Sequence, residues 1–264
     1  MVLSKCREPA VAGMFYPSDP DTLRKQVQGF IDQARPSGLA RPPKAIIAPH
    51  AGYIYSGPIA GSAYQRVRDV GRSIQRVLLL GPSHYVGFTG LALSHHAAFH
   101  TPLGDMPVDA TAIRHIQSLP QVHCLEAAHE REHCLEVHLP FLQVVLEHCS
   151  IIPLVVGSAT PEAVAEVLDL VWNETTLVVA SSDLSHYLDY TSAGTMDRQT
   201  CSKIEQLDYA HLKPEEACGA HAVAGLLKAA MRRHLTATTL DLRNSGDTAG
   251  DKDRVVGYGA WSFN

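Results

Sequence analysis

Four runs of consecutive apolar residues punctuate the chain, at 45–48, 77–80, 151–156 and 177–180. None alternates with polar positions, which is the pattern of a strand covered on both faces. Stretches with helical spacing lie at 58–67 after the first run, 139–148 before the third and 161–171 after it. Strand and helix therefore alternate, and the order predicts an α/β fold with a central, mostly parallel or mixed sheet flanked by helices. Two more helices are predicted at 197–207 and 217–234. Strand-like sequence returns at 238–242 and 255–263, two runs expected to pair with each other at one edge, with Gly257 and Gly259 marking bulges or tight contacts.

With 264 residues, 45% of them apolar and 19% charged, the chain is long enough to bury one sizeable core. No Ser/Gly-rich or charge-dense stretch divides it. The nearest candidate linker, 34–43, lies too close to the N-terminus to separate two cores, so a single α/β domain over 1–264 is expected. The net charge is −5 and no basic run could track a phosphate backbone, which argues against nucleic acid as a direct partner. No stretch approaches the roughly 18 apolar residues of a membrane helix, and residues 1–10 lack the apolar segment of a leader. A cytoplasmic protein is the expectation.

Six cysteines are scattered without a C-x-x-C pair, so neither a disulfide framework nor a zinc ribbon is indicated. The less ordinary number is 15 histidines, several of which close apolar runs. Three runs end alike: Ile46-Ile47-Ala48-Pro49-His50, Leu79-Leu80-Gly81-Pro82-Ser83-His84, and Val179-Ala180-Ser181-Ser182-Asp183-Leu184-Ser185-His186. In open α/β sheets ligands bind beyond the carboxyl ends of the strands, where loops diverge. For one such histidine a structural hydrogen bond is the simpler account. Three in equivalent positions point to a site, because imidazole is the commonest metal ligand and Gly and Pro nearby fix sharp exits that orient the ring.

Cys218 and His221 are three residues apart near the start of a predicted helix, so they share a face, and Gly219 permits close approach of another chain or a ligand. Spacing alone makes Cys218 a packed core thiol. His129-Glu130-Arg131-Glu132-His133 matches H-E-x-x-H, the zinc-protease signature, and its inverse. The segment is polar all round where a zincin helix needs an apolar face, and no third ligand follows at short range. His129 is therefore expected to be solvent-exposed or far from His50, and His133 to lie near the cleft.

Taken together, several segments resemble the Memo family: Arg7-Glu8-Pro9-Ala10-Val11-Ala12-Gly13-Met14-Phe15-Tyr16-Pro17; Ala48-Pro49-His50-Ala51-Gly52-Tyr53; Gly81-Pro82-Ser83-His84; Glu132-His133-Cys134-Leu135-Glu136-Val137-His138-Leu139-Pro140-Phe141; Ser181-Ser182-Asp183 with His186; and Cys218-Gly219-Ala220-His221. The resemblance implies a fold similar to class III extradiol dioxygenases, which open catechol rings with a non-haem iron held by two histidines and a glutamate. It carries those ligands over as His50, His84 and Cys218, and the acid/base histidine as His186, with Asp183 beside it. Tyr53, His133, Glu136, His138 and His221 are the expected substrate contacts. A thiolate where the dioxygenases have a carboxylate is a departure, since a softer ligand suits copper or zinc as well as iron, and function belongs to the site rather than the fold.

The leading expectation is a metal-dependent redox enzyme using iron or copper, with zinc as the other option. The second is a binding or adaptor protein that uses the same cleft for a peptide, a metabolite or a metal. The resemblance also implies a radical-SAM enzyme as a partner, and a zinc hydrolase built on His129 and His133 ranks last.

Overall fold

The computed structural model describes residues 6–264 apart from Ser37, Ala40 and Asp69. Residues 1–5 of the N-terminal stretch and two positions of the 34–43 segment thus lie outside the described residues. In chain order the first half comprises β1 (Cys6–Arg7), α1 (Pro20–Gln33), β2 (Ala45–Ala48), α2 (Tyr53–Arg68), β3 (Arg76–Pro82), β4 (Leu91–Leu93), β5 (Ala98–Thr101), β6 (Gly104–Pro107), α3 (Ala110–Ile116), β7 (Val122–Cys124) and α4 (Ala127–Glu130). The second half comprises α5 (Leu139–Val145), β8 (Ser150–Val156), α6 (Pro161–Val171), β9 (Thr176–Ser181), β10 (His186–Leu188), α7 (Tyr190–Glu205), α8 (Ala220–Arg232), β11 (Ala237–Asn244) and β12 (Val255–Phe263).

The four apolar runs become β2, β9, β3 and β8, which lie side by side in that order and are all parallel. Their residues from Ala45 to Ala48 and from Val77 to Leu80 are fully buried, as continuous apolar sequence requires of strands covered on both faces. Antiparallel strands extend the sheet on both sides: β4 on β8, with β7 beyond it, and β12 on β2. A separate sheet is formed by β1, β5 and β6. The architecture is mixed α/β, with α6 and α8 packed together and α8 against β3 and β9, while α1, α2 and α5 form a second group whose α2 lies on β2 and β12. No helix of the described residues is long and apolar enough to cross a membrane.

Several elements differ from expectation for local reasons. The run at 255–263 does pair with 238–242, but it is no edge: β12 has β2 on its other side and takes β10 as well. Gly257 and Gly259 are the tight contacts anticipated, since a Cβ at Gly257 would fall 2.1 Å from the Asp197 carboxylate and one at Gly259 would fall 2.0 Å from the Trp261 ring. Helix α7 begins at Tyr190, seven residues early, because the Asp189 carboxylate accepts the backbone N–H groups of Thr191 and Ser192 and caps it. Helix α8 begins late. Its first i→i−4 bond runs from the Val223 N–H to the Gly219 carbonyl at 2.9 Å, and the N–H groups of Cys218 and Gly219, which have no partner inside the helix, are met by the Asp183 carbonyl at 3.2 Å and the Ser182 hydroxyl at 2.9 Å.

Candidate metal centre

Because β2, β9 and β3 are adjacent and parallel, their carboxyl ends bring His50, Asp183 and His84 to one place. The exit of β2 is tied to that of β9 twice: Ser182 N–H donates to the Ala48 carbonyl at 3.0 Å, and His50 N–H to Asp183 Oδ1 at 2.8 Å. Ser181, the last residue of β9, then fixes the His50 ring. Its single hydroxyl proton goes to the Cys134 carbonyl at 2.7 Å, so toward its two imidazole neighbours it can only accept. Those neighbours are His50 Nδ1 at 2.7 Å and His138 Nε2 at 2.8 Å. His50 consequently carries its proton on Nδ1, as assigned from this network, and its Nε2 presents a bare lone pair. Burial, reinforced by the charges of His84, His133, His138 and His186, holds the His50 imidazolium well below its ordinary pKa and keeps the ring neutral.

His84 is oriented by a carboxylate. Glu132 accepts from His84 Nδ1 at 2.8 Å and from the His84 backbone N–H at 2.7 Å, and takes the N–H groups of His133 and Cys134 at 2.9 and 3.1 Å. Burial works to raise the Glu132 carboxyl, but the His84 contacts and the backbone N–H groups outweigh it and hold the group down to about 2. Burial likewise works to lower His84, and Glu132 overcomes it, leaving the imidazolium raised. A carboxylate holding Nδ1 leaves Nε2 as the outward donor, the arrangement common behind metal-bound histidines.

The third donor arrives through a close chain approach. A Cβ on Gly219 would fall 2.5 Å from the Ser181 carbonyl and 2.7 Å from Ser182 Cβ, so glycine lets this turn seat against the end of β9 and carries Cys218 into the cleft. Cys218 Sγ lies 3.3 Å from His50 Nε2 and accepts the Asp183 N–H at 3.3 Å. Burial, and then the nearby Asp183 carboxylate, push the thiol pKa up. Burial also pushes Asp183 up, to about 7, against the N–H groups of His50 and Ala51 and the charge of His84. One donor atom each from His50, His84 and Cys218 falls within 4.8 Å of the others. Two ligands bound tetrahedrally at about 2.0 and 2.3 Å stand about 3.5 Å apart, close to the 3.3 Å between His50 and Cys218. The donor set therefore fits a metal ion: a neutral His50 imidazole, a His84 imidazole whose Nδ1 is held by Glu132, and a thiol, the last two losing a proton to bind.

Around this group the structure separates the remaining sequence candidates. His186 is exposed; partial desolvation and the His84 charge keep it below the ordinary histidine value, against the Leu184 carbonyl, which works to raise it. His133 stacks on His84 with ring centroids 4.8 Å apart and lies 5.6 Å from the His50 ring, its Nδ1 buried with no hydrogen-bond partner among the described residues.

The other four do not face the cleft. His138 is buried with both nitrogens used, Nε2 on Ser181 and Nδ1 on the Tyr64 hydroxyl at 2.9 Å. Glu136 is fully buried as the counter-ion of Arg7 at 2.8 Å, and its oxygens also take the N–H groups of Ala10 and Val11 and the Tyr16 hydroxyl. Tyr53 packs against Phe141 and donates to the Val137 carbonyl. His221 turns to the Ala159 carbonyl at 2.9 Å, beside a separate pocket lined by Pro161, Tyr209 and Leu212. For all four the reason is a neighbouring partner that sequence spacing does not reveal.

The H-E-x-x-H segment does not form a zinc site. Helix α4 spans only Ala127–Glu130 and ends before His133. His129 is 1% exposed rather than solvated, and its Nε2 donates to the Ala92 carbonyl at 2.9 Å. The segment is polar in residue type as read, but it is not solvated all round, since Ala128, His129 and Glu132 are buried. Its Glu132 is instead the residue that holds His84. Glu132 and Ser181 are the two members of the site that sequence reasoning passed over, although each stands within the quoted motifs.

A family model described as Memo-like protein matches residues 7–262. The chain belongs to the Memo-like family. A MEMO1 family protein of Metallosphaera sedula is 36% identical over 97% of this chain and 99% of its own length, and one of Sulfolobus acidocaldarius is 34% identical over 96% and 97%. The crystal structure of an uncharacterized protein from Escherichia coli K12 superposes with a TM-score of 0.52 at 14% identity, covering 83% of this chain and 99% of that one. At that identity the likeness is one of fold. The matched range includes the segments that supply His50, His84, Glu132, Ser181 and Cys218.

Proposed function

We propose that the chain is a metal-dependent oxidoreductase in which His50, His84 and Cys218 hold iron or copper, zinc being the redox-silent alternative. The observation that supports it is the hydrogen-bond wiring behind the donors: Ser181 and Glu132 each occupy the Nδ1 of one histidine, so both Nε2 lone pairs and the Cys218 sulfur are left to one point. Such an ion supplies Lewis acidity and, as iron or copper, one-electron chemistry. Kinship with class III extradiol dioxygenases belongs to the same proposal.

The chain's own residues supply the rest. His186, kept below the ordinary histidine value by partial desolvation, takes a proton from substrate. His133, stacked on His84, presents its ring to a bound molecule, and Asp183 holds the His50 backbone in register while its carboxyl lies near 7. The test is oxygen consumption by protein purified without a histidine tag and loaded with iron, copper or zinc, in the presence of a catechol or thiol reductant. Activity is expected to vanish in both C218S and H186A, with metal content lost only in C218S. Activity equal to that of free metal would overturn the enzymatic reading.

One observation favours a second reading, a binding protein. Of the exposed large apolar side chains, Tyr85 and Tyr187 follow His84 and His186 directly, Met14 precedes Phe15, whose ring is 4.8 Å from that of His133, and Ile54 stands in the first turn of α2. A collar of this kind suits a peptide or an apolar metabolite. In that case H186A weakens ligand affinity at most, since no proton has to move.

A further inference from the structure

A second group of histidines lies on the far side of the sheet from β12. Strands β4 and β7 run parallel there with Leu93 level with Cys124, and Leu125 N–H donates to the Leu93 carbonyl at 3.1 Å. The two chains therefore leave the sheet together. Ser94, His95 and His96 follow β4, and Glu126 follows β7.

Glu126 Oε2 accepts from the Ser94 hydroxyl at 2.9 Å and from the His95 backbone N–H at 3.0 Å, which fixes the carboxylate in place. Its two oxygens then meet two imidazoles: Oε2 is 3.0 Å from His95 Nδ1, and Oε1 is 3.0 Å from His96 Nδ1. The rings stack at 4.7 Å with 22° between their planes. Oε1 is shielded from solvent, yet has no hydrogen-bond partner among the described residues, since His96 Nδ1 donates instead to the Ser94 hydroxyl at 3.0 Å, whose own proton goes to Oε2.

A plain hydrogen-bonded knot accounts for Oε2 and leaves Oε1 unmet. A cation accounts for both. Two donors at about 2.1 Å from a metal stand about 3.4 Å apart at the tetrahedral angle of zinc and about 3.0 Å apart at right angles, and each nitrogen–oxygen pair here has the shorter spacing. One donor atom from each of the three residues falls within 4.8 Å of the others. The His95 side chain is 42% exposed while those of His96 and Glu126 are 18% and 22% exposed, so an ion has an open approach on one side and water can complete its shell.

We propose that His95, His96 and Glu126 form a second cation site, one that takes a divalent ion of borderline softness such as zinc, cobalt or nickel. Two imidazoles and a carboxylate suit those ions. The site shares no residue with the cleft and has no thiol, so the two centres have different spectra and neither rests on the other.

Cobalt(II) titration of the untagged full-length chain tests this directly. The wild-type chain should bind two equivalents, one with a thiolate-to-cobalt charge-transfer band that disappears in C218S, and one without it. E126Q and H96A should each weaken the thiolate-free equivalent by at least about tenfold while leaving the charge-transfer band intact. H96A removes only a half-buried loop side chain, so it remains informative should E126Q fold poorly, and the band itself reports that the rest of the molecule is native. A single equivalent in the wild-type chain, or a second equivalent insensitive to both substitutions, would overturn the proposal.

Discussion

The cleft and the β4–β7 edge each gather histidines at the carboxyl ends of strands, yet they are built to different standards. In the cleft every donor is braced by a buried partner: Ser181 behind His50, Glu132 behind His84, and the Asp183 backbone against Cys218. Those partners are braced in turn. Arg7 spans the loop that carries Glu132, donating to the Glu132 carbonyl at 2.6 Å, the His129 carbonyl at 3.0 Å and the Glu136 carboxylate at 2.8 Å. At the edge one carboxylate meets both rings, only the Ser94 hydroxyl stands buried behind His96 among the described residues, and His95 is half in solvent. Fixed tautomers and a dry surrounding make for a selective, tightly held ion, whereas a solvated group of the same residue types makes for an exchangeable one.

Removing Arg7 should break the contrast most deeply. R7A leaves the Glu136 carboxylate buried without its counter-ion, and the loss of a buried partner of this kind costs about 3 to 5 kcal/mol. Chemical denaturation should show that loss, together with a cleft that no longer holds metal tightly even though no ligand has been touched. The β4–β7 site should keep its ion for as long as the chain is folded.

Glu132→Gln is the narrower break. The amide oxygen can still take the His84 Nδ1 proton, but the charge that raises the basicity of His84 is gone. Metal affinity of the cleft should fall about 10- to 100-fold with little change in fold, as is usual for the group behind a metal-bound histidine. Competition with a chelator measures it.

The smallest effect is one of pH. The Cys218 thiol is pushed up by burial and by Asp183, and the His84 imidazolium is raised by Glu132 against the effect of burial. Both must lose a proton to become ligands, so apparent affinity at the cleft rises with pH. It should rise about tenfold per unit while one proton is released per ion, and more steeply below the raised His84 value, where a second must leave. The edge site has no thiol among its three donors and should rise less steeply. Equal slopes at the two sites would remove the thiol from the account.

How much of this was legible in the sequence follows from the same physics. Strands β2, β3, β8 and β9 were readable because a strand buried on both faces must be apolar throughout. Strands β1, β4, β5, β6, β7 and β10 have four residues or fewer, too few for a period to show. Helix α1 was missed although its signals are present: Asp19 caps it, and Leu23, Val27 and Ile31 recur every fourth residue and are fully buried. In the site, strand-end histidines were readable by position. Cys218 was not, since only the tertiary approach of Gly219 to the end of β9 brings it in, and family motifs had to supply it. Glu136 and His138 read in sequence as substrate contacts because a buried polar residue and a cleft residue look alike there; what the fold adds is the partner, Arg7 for one and Ser181 with Tyr64 for the other.

The central claim is that His50, His84 and Cys218 share one ion. X-ray absorption at the metal edge, on protein holding one equivalent of zinc in the cleft, reads the ligand shell directly. The account predicts one sulfur at about 2.3 Å and at least two imidazole nitrogens at about 2.0 to 2.1 Å, with the sulfur missing from C218S. A shell of nitrogen and oxygen alone in the wild-type protein, or a sulfur that survives the substitution, would contradict it.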